Sequence, residues 1–175
     1  MFTPKIYYGK NDIILLSVVM TLTVLLAWVM KEFLPDQSSY LTFTFIAPVL
    51  ISIFLDMKLA ILVNILLTLC ISLMVKDNTT FIMMAMVNGT VAAYLSANAS
   101  QRRKISLAGV IIGSLNVVVI LGMGIFDGKE WGTLINEGGL AFLNGLLSVI
   151  LAIGLLPFLE SSFNIITPLK LLELA

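Results

Sequence analysis

The stretch "IILLSVVMTLTVLLAWVM" (residues 13–30) holds eleven Leu, Ile and Val residues and no charge. On the scale of membrane insertion those eleven contribute roughly −3 to −7 kcal/mol. The run is too long for the core of a signal peptide. It is followed by "WVMKEF" rather than a small-x-small cleavage site, so it is expected to stay as an anchor. The rest of the chain has the same character. Hydrophobic residues make up 59% and charged residues 11%, against roughly 45–50% and 25% in soluble domains. Formal net charge is zero, which leaves no basic footprint for nucleic acid. The single cysteine, Cys70, forms no internal disulfide, and histidine is absent. The commonest general base and metal ligand is thereby removed.

Six spans follow from the apolar runs: Ile13–Met30, Leu41–Leu55, Leu59–Val75, Phe81–Leu95, Ile105–Phe126 and Gly138–Leu159. Two of them are shorter than the ~17–25 residues usual for a crossing helix, so their ends are uncertain or the bilayer thins there. The sequence therefore predicts an all-α, polytopic membrane helix bundle over residues 1–159. Basic residues set its orientation. With both termini cytoplasmic, Lys5, Lys10, Lys58, Arg102, Arg103, Lys104 and Lys170 lie inside, and Lys31, Lys76 and Lys129 lie outside.

The spans repeat. "LVNILLTL" (62–69) aligns with "SLNVVVIL" (114–121), and "MVNGTVAAYL" (86–95) with "FLNGLLSVIL" (142–151). Each pair is anchored on one asparagine, Asn64 with Asn116 and Asn88 with Asn144. Spans 3–4 and 5–6 thus resemble two copies of one hairpin inserted in the same direction, as in some transporters. The asparagines either hold neighbouring helices together or line a polar site for a ligand or ion. Counted at 1.5 Å per residue, Asn64 and Asn88 lie about 10 Å from the inner boundary, Asn116 about 16 Å and Asn144 about 20 Å, which argues against a single ring.

Small residues mark packing faces. Gly109 and Gly113 form a GxxxG step on the fifth span. Gly89, Ala93 and Ser96 mark the fourth, and Ala141, Gly145, Ser148 and Ala152 the sixth. Such residues let helices approach closely, within one bundle or across a homodimer. Gly122, Gly124, Gly128 and Gly132 suggest a flexible outer loop, with Trp131 as an interface anchor. Asp56 is placed to cap the third helix.

Catalysis by this chain is not expected. No acidic residue lies deep within an expected span, no lysine sits inside one, and serine and threonine have no histidine partner. No Cys/His cluster offers a metal site, so no cofactor is expected.

The ending has a different texture. After Pro157, the residues Glu160, Ser161, Ser162 and Asn164 interrupt Phe158, Phe163, Ile165 and Ile166, as suits a helix leaving the bilayer along the inner interface. Thr167 and Pro168 then suit the start of a new helix. Residues 160–175 are expected to be a juxtamembrane connector. Its coupling residues would be Pro157, Glu160, Phe163, Thr167, Pro168 and Leu172.

"GLLPFLESSFNIITPLKLLELA" (154–175) resembles the membrane-to-cytosol junction of bacterial seven-transmembrane receptors with an intracellular HD hydrolase, the PgpH-type cyclic di-AMP phosphodiesterases. The matching positions are Leu155, Leu156, Pro157, Phe158, Leu159, Glu160, Phe163, Thr167, Leu171, Leu172, Glu173 and Leu174. Weaker echoes are "FLD" (54–56), "NGTVAAYL" followed by "QRRK", and the Asn-Gly of the sixth span.

The resemblance implies a membrane sensor that anchors and regulates a cytoplasmic HD domain, in the inner membrane. It also implies an extracytoplasmic domain, one further span, and two metal ions in the HD domain. None of the family's metal ligands can be carried onto this chain, which has no histidine. The rival reading is a small six-helix substrate-binding subunit of a membrane transporter, whose pocket the four asparagines would line.

Overall fold

The computed structural model describes residues 9–34, 40–75, 78–99 and 102–164, with isolated positions 171 and 174. Six helices follow in order: α1 (Lys10–Phe33), α2 (Ile46–Phe54), α3 (Met57–Ser72), α4 (Asn78–Ala97), α5 (Arg102–Phe126) and α6 (Trp131–Phe163). The described residues contain no strand. The protein is all-helical, and α1, α4, α5 and α6 are each long and apolar enough to cross a membrane.

The other two expected spans differ from the sequence reading. Helix α3 has 16 residues, about 24 Å of rise. Helix α2 has only nine, because residues 41–45 are not helical. Phe43 there takes a left-handed φ of 53°, and Pro48 cannot donate to the carbonyl of Thr44. A helix therefore cannot propagate back from α2 into residues 41–45. Non-helical backbone at membrane depth is tolerated where protein buries it. Thr42, Phe43, Thr44 and Phe45 are all buried, as is every α2 residue from Ile46 to Ser52. Helix α2 packs against α1, α3, α4 and α6 and forms the centre of the bundle.

Helix α1 buries one stripe, Leu15, Val19, Thr23 and Ala27, spaced every four residues. Its opposite side, including Ile14, Leu25 and Trp28, is exposed as a lipid-facing side should be. Trp28, Phe33, Phe126 and Trp131 are exposed near the ends of α1 and α5 and the start of α6. These bulky aromatics are the type that settles at a membrane–water interface.

Helix α6 corrects the expected ending. The sixth span, expected to end at Leu159, continues as helix through Pro157 to Phe163. Pro157 removes only one N–H from the ladder, and in membrane helices packing compensates for that loss. Leu156, Leu159 and Glu160 are buried around it, and Glu160 is partnered. The stop is set instead by Asn164, in the left-handed conformation (φ 53°, ψ 34°) that asparagine tolerates as a helix cap. The boundary expected at 159/160 thus falls within α6. Thr167, Pro168 and Leu172 lie outside the described residues. Asp56 occupies the N-cap position of α3, but its side chain makes no capping bond.

Candidate functional site

The internal repeat reappears as geometry. Asn64 Nδ2 on α3 donates to the carbonyl of Ala85 on α4, at 3.0 Å. Asn116 Nδ2 on α5 donates to the carbonyl of Ala141 on α6, at 2.8 Å. Each accepting alanine lies three residues before the other asparagine of its hairpin, in "AMVNG" (85–89) and "AFLNG" (141–145). The two hairpins therefore make the same cross-helix bond at matching positions. Shared alanines were a signal available in the sequence.

The glycines after those asparagines allow the close approach. A Cβ at Gly89 would collide with the Asn64 amide. One at Gly145 would stand 2.7 Å from Gly113 Cα, and one at Gly113 would stand 2.8 Å from the Phe142 carbonyl oxygen. Gly109 faces Val149 in the same way, with 3.1 Å from its Cβ position to Val149 Cβ. Gly109 and Gly113 thus serve the α5–α6 pair within one chain. Gly124, expected in a flexible loop, lies in α5 with Leu134 against it, whereas Gly128 turns the α5–α6 loop at φ 66°.

A third bond joins the two hairpins. Asn88 Nδ2 donates to Asn116 Oδ1 at 2.6 Å. All four asparagines are fully buried. The residue count placed Asn88 and Asn116 about 6 Å apart in depth, yet their side chains are in direct contact. Asn144 Oδ1, in turn, accepts from the backbone N–H of Phe43 at 2.9 Å and from Ser148 Oγ at 3.3 Å. The Thr42 and Thr44 hydroxyls share a hydrogen bond of 2.8 Å beside it. Asn144 thus holds the non-helical segment 41–45, Asn88 and Asn116 tie α4 to α5, and Asn64 braces α3 on α4.

At the end of the bundle where α5 turns into α6 lies a charged cluster that the sequence reading treated only as loop charge. Lys129 Nζ donates to Glu137 Oε2 at 3.0 Å, to Glu137 Oε1 at 3.3 Å and to the Tyr40 hydroxyl at 3.0 Å. Its amine also lies 5.7 Å from the Tyr40 ring centroid, within cation–π range. Burial disfavours the charged amine, but the hydrogen bonds to Tyr40 and Glu137 outweigh it and hold Lys129 above the ordinary lysine range. The cluster ties the chain entering α2 to the top of α6. Glu137 escaped notice because "DGKEWGTLINE" (127–137) looks like a loop, whereas α6 begins at Trp131.

These features define a helical membrane protein with an asparagine-braced core around a short central helix. The chain belongs to the family described as 7TM receptor with intracellular HD hydrolase, which it matches over residues 1–167. It is similar to the cyclic-di-AMP phosphodiesterase PgpH of Bacillus subtilis (strain 168), 27% identical over 184 residues, covering 96% of this chain and 25% of that protein. It is also similar to the PgpH of Listeria monocytogenes serotype 1/2a (strain 10403S), 28% identical over 134 residues, covering 74% of this chain and 18% of that protein. The chain thus spans about a quarter of the length of the first relative. No solved structure matches it significantly.

Proposed function

We propose that this chain is the membrane-embedded sensory and signal-transducing part of a cyclic-di-AMP phosphodiesterase, anchoring and regulating an HD-type catalytic domain. The family match and the two PgpH relatives support the class. The observation that carries the regulatory reading is the continuity of α6. Its 33 residues span about 50 Å, from the Lys129–Glu137–Tyr40 cluster, past the asparagine core, to Phe163. A movement of the segment entering α2 would be felt at both Asn144 and Glu137, and a stiff helix would carry it to the connector.

In this reading the chain sits in the bacterial inner membrane with both termini cytoplasmic. Its partners are the lipid bilayer, an extracytoplasmic domain, the HD domain and a second copy in a homodimer. Among the described residues no three His, Cys, Asp or Glu side chains gather as a metal site. The two metal ions of the HD domain would be held by residues outside this chain.

The test compares cyclic-di-AMP hydrolysis by the full-length protein in vesicles with that of its cytoplasmic part alone. Regulation by the membrane part predicts different rates or a lost response to signal. Identical behaviour of the two would overturn the proposal.

A further inference from the structure

Among the described residues, two that are not glycine take a positive φ, Phe43 and Asn164, both at 53°. Asparagine tolerates that conformation, but in a bulky aromatic it is an outlier that the surroundings must hold in place. Phe43 is held through its N–H, which donates to Asn144 Oδ1 at 2.9 Å. Three residues earlier, the Tyr40 hydroxyl accepts from Lys129 Nζ at 3.0 Å, and the same amine is paired with Glu137. Glu137 and Asn144 both belong to α6. Their spacing is about two turns, so they share a face and lie about 10 Å apart along the axis. Residues 40–43 reach about the same length when extended. Helix α6 therefore holds one short non-helical segment at both of its ends, directly at Phe43 and through Lys129 at Tyr40. Tyr40, Thr42 and Phe43 are buried there.

The same segment has a second place to go. Phe45 already has right-handed backbone angles, and the Ile46 N–H already donates to the Phe43 carbonyl at 3.3 Å. The left-handed Phe43 is what keeps α2 from starting earlier. Pro48 alone is no bar, since α6 runs unbroken through Pro157. Once Phe43 turns right-handed, residues 41–43 can wind onto α2. A residue advances up to ~3.3 Å when extended and 1.5 Å in a helix, so winding three of them draws Tyr40 in by about 5 Å. The 3.0 Å bond to Lys129 does not survive that shift. Conversely, loss of the Lys129 hold leaves the strained Phe43 with Asn144 alone. Each hold thus depends on the other.

We propose that residues 40–43 form a strap with two states. In one it is clamped on α6, as in this structure; in the other it is released, with Phe43 right-handed and the chain wound onto α2. The strap is then the switch through which a change at the α5–α6 turn reaches the core. That regulatory meaning rests on the function proposed above, whereas the motion itself needs no hydrolase.

The test follows hydrogen exchange at residues 41–45 of the full chain in lipid nanodiscs, because the first turn of the released helix has free N–H groups. Lys129→Met removes the far hold and leaves the Asn144 bond in place. Protection at 41–45 is expected to fall about tenfold, the worth of one hydrogen bond to a charged group, while that of α4 stays as it was. Unchanged protection at 41–45, or a fall shared equally by α4, overturns the strap. Phe43→Gly and Phe43→Ala both lose the ring, but only glycine enters the left-handed region without strain. Protection is expected to be about 5- to 30-fold higher in the glycine variant, from the roughly 1–2 kcal/mol cost of a Cβ there at about 1.4 kcal/mol per tenfold. Equal protection in the two overturns the left-handed hold. In the full-length protein, Lys129→Met is expected to abolish the signal dependence of cyclic-di-AMP hydrolysis. A strap loosened by exchange with the signal dependence intact overturns its regulatory role, and leaves regulation by the membrane part standing.

Discussion

A methyl group at Gly145 has nowhere to go. Its Cβ would lie 2.5 Å from Gly113 N, 2.7 Å from Gly113 Cα and 3.0 Å from Ile112 C. All three are backbone atoms, so no side chain can rotate aside. Carbon atoms rest at about 3.5–4.0 Å, and α5 must therefore retreat from α6 by about 1 Å. The retreat also loosens Gly109 on Val149 and stretches the 2.8 Å bond from Asn116 to Ala141. Overpacking of this kind costs about 1–3 kcal/mol.

Gly154 provides the control on the same helix, since a Cβ there meets nothing within 4 Å. Gly154→Ala is expected to gain up to about 1 kcal/mol from helix propensity. The propensity gain is common to both, so the two substitutions should differ by the overpacking cost, about 1–3 kcal/mol. At roughly 2–4 °C per kcal/mol, the scaling of soluble chains of similar size, the Tm values should separate by about 2–12 °C. Thermal unfolding in one detergent, followed by the fluorescence of Trp28 and Trp131, measures the gap. Equal Tm values, or a Gly145→Ala protein more stable than Gly154→Ala, would refute the close α5–α6 approach.

Three further outcomes follow from the same contacts. Gly89→Ala pushes Asn64 off the Ala85 carbonyl and should cost about 1–3 kcal/mol; combined with Asn64→Ala, the losses should be less than additive, as read by unfolding in SDS. Asn144→Leu strips the buried Phe43 N–H of its acceptor and should cost about 1–3 kcal/mol, with proteolysis near residues 41–45 increasing measurably. Lys129 is held above its ordinary 10.5, so its contribution is complete below that value and is lost only as pH climbs through the higher folded one. The Tm difference between native protein and Lys129→Met should therefore stay constant from about pH 7 to pH 10 and shrink above that. Shrinkage already complete near pH 8 would contradict the pairing with Glu137 and Tyr40.

Much of the fold was legible because bilayer insertion depends on composition and run length, which a sequence displays directly. The paired asparagines of "MVNG" and "FLNG" also exposed the repeat, since few polar residues interrupt those runs. Other features depend on contacts between distant segments. The helical break before α2 rests on Phe43 being caught by Asn144, 101 residues away. Its local signs, Pro48 and two threonines, fit an ordinary apolar span equally well. Pro157 is the opposite case: the usual helix-breaking effect of proline does not end α6, where Leu156, Leu159 and Glu160 are buried. Glu137 was hidden by a glycine-rich stretch with loop-like composition that nonetheless starts α6 on an exposed tryptophan.

The central claim is that α6 passes movement through Phe163 as a stiff rod. The most direct measurement inserts a flexible Gly-Ser pair between Ser161 and Ser162 of the full-length protein and follows signal-dependent cyclic-di-AMP hydrolysis in vesicles. Loss of the signal dependence, with basal hydrolysis retained, is the predicted result. An insertion that leaves the stimulated rate unchanged would contradict transmission through α6.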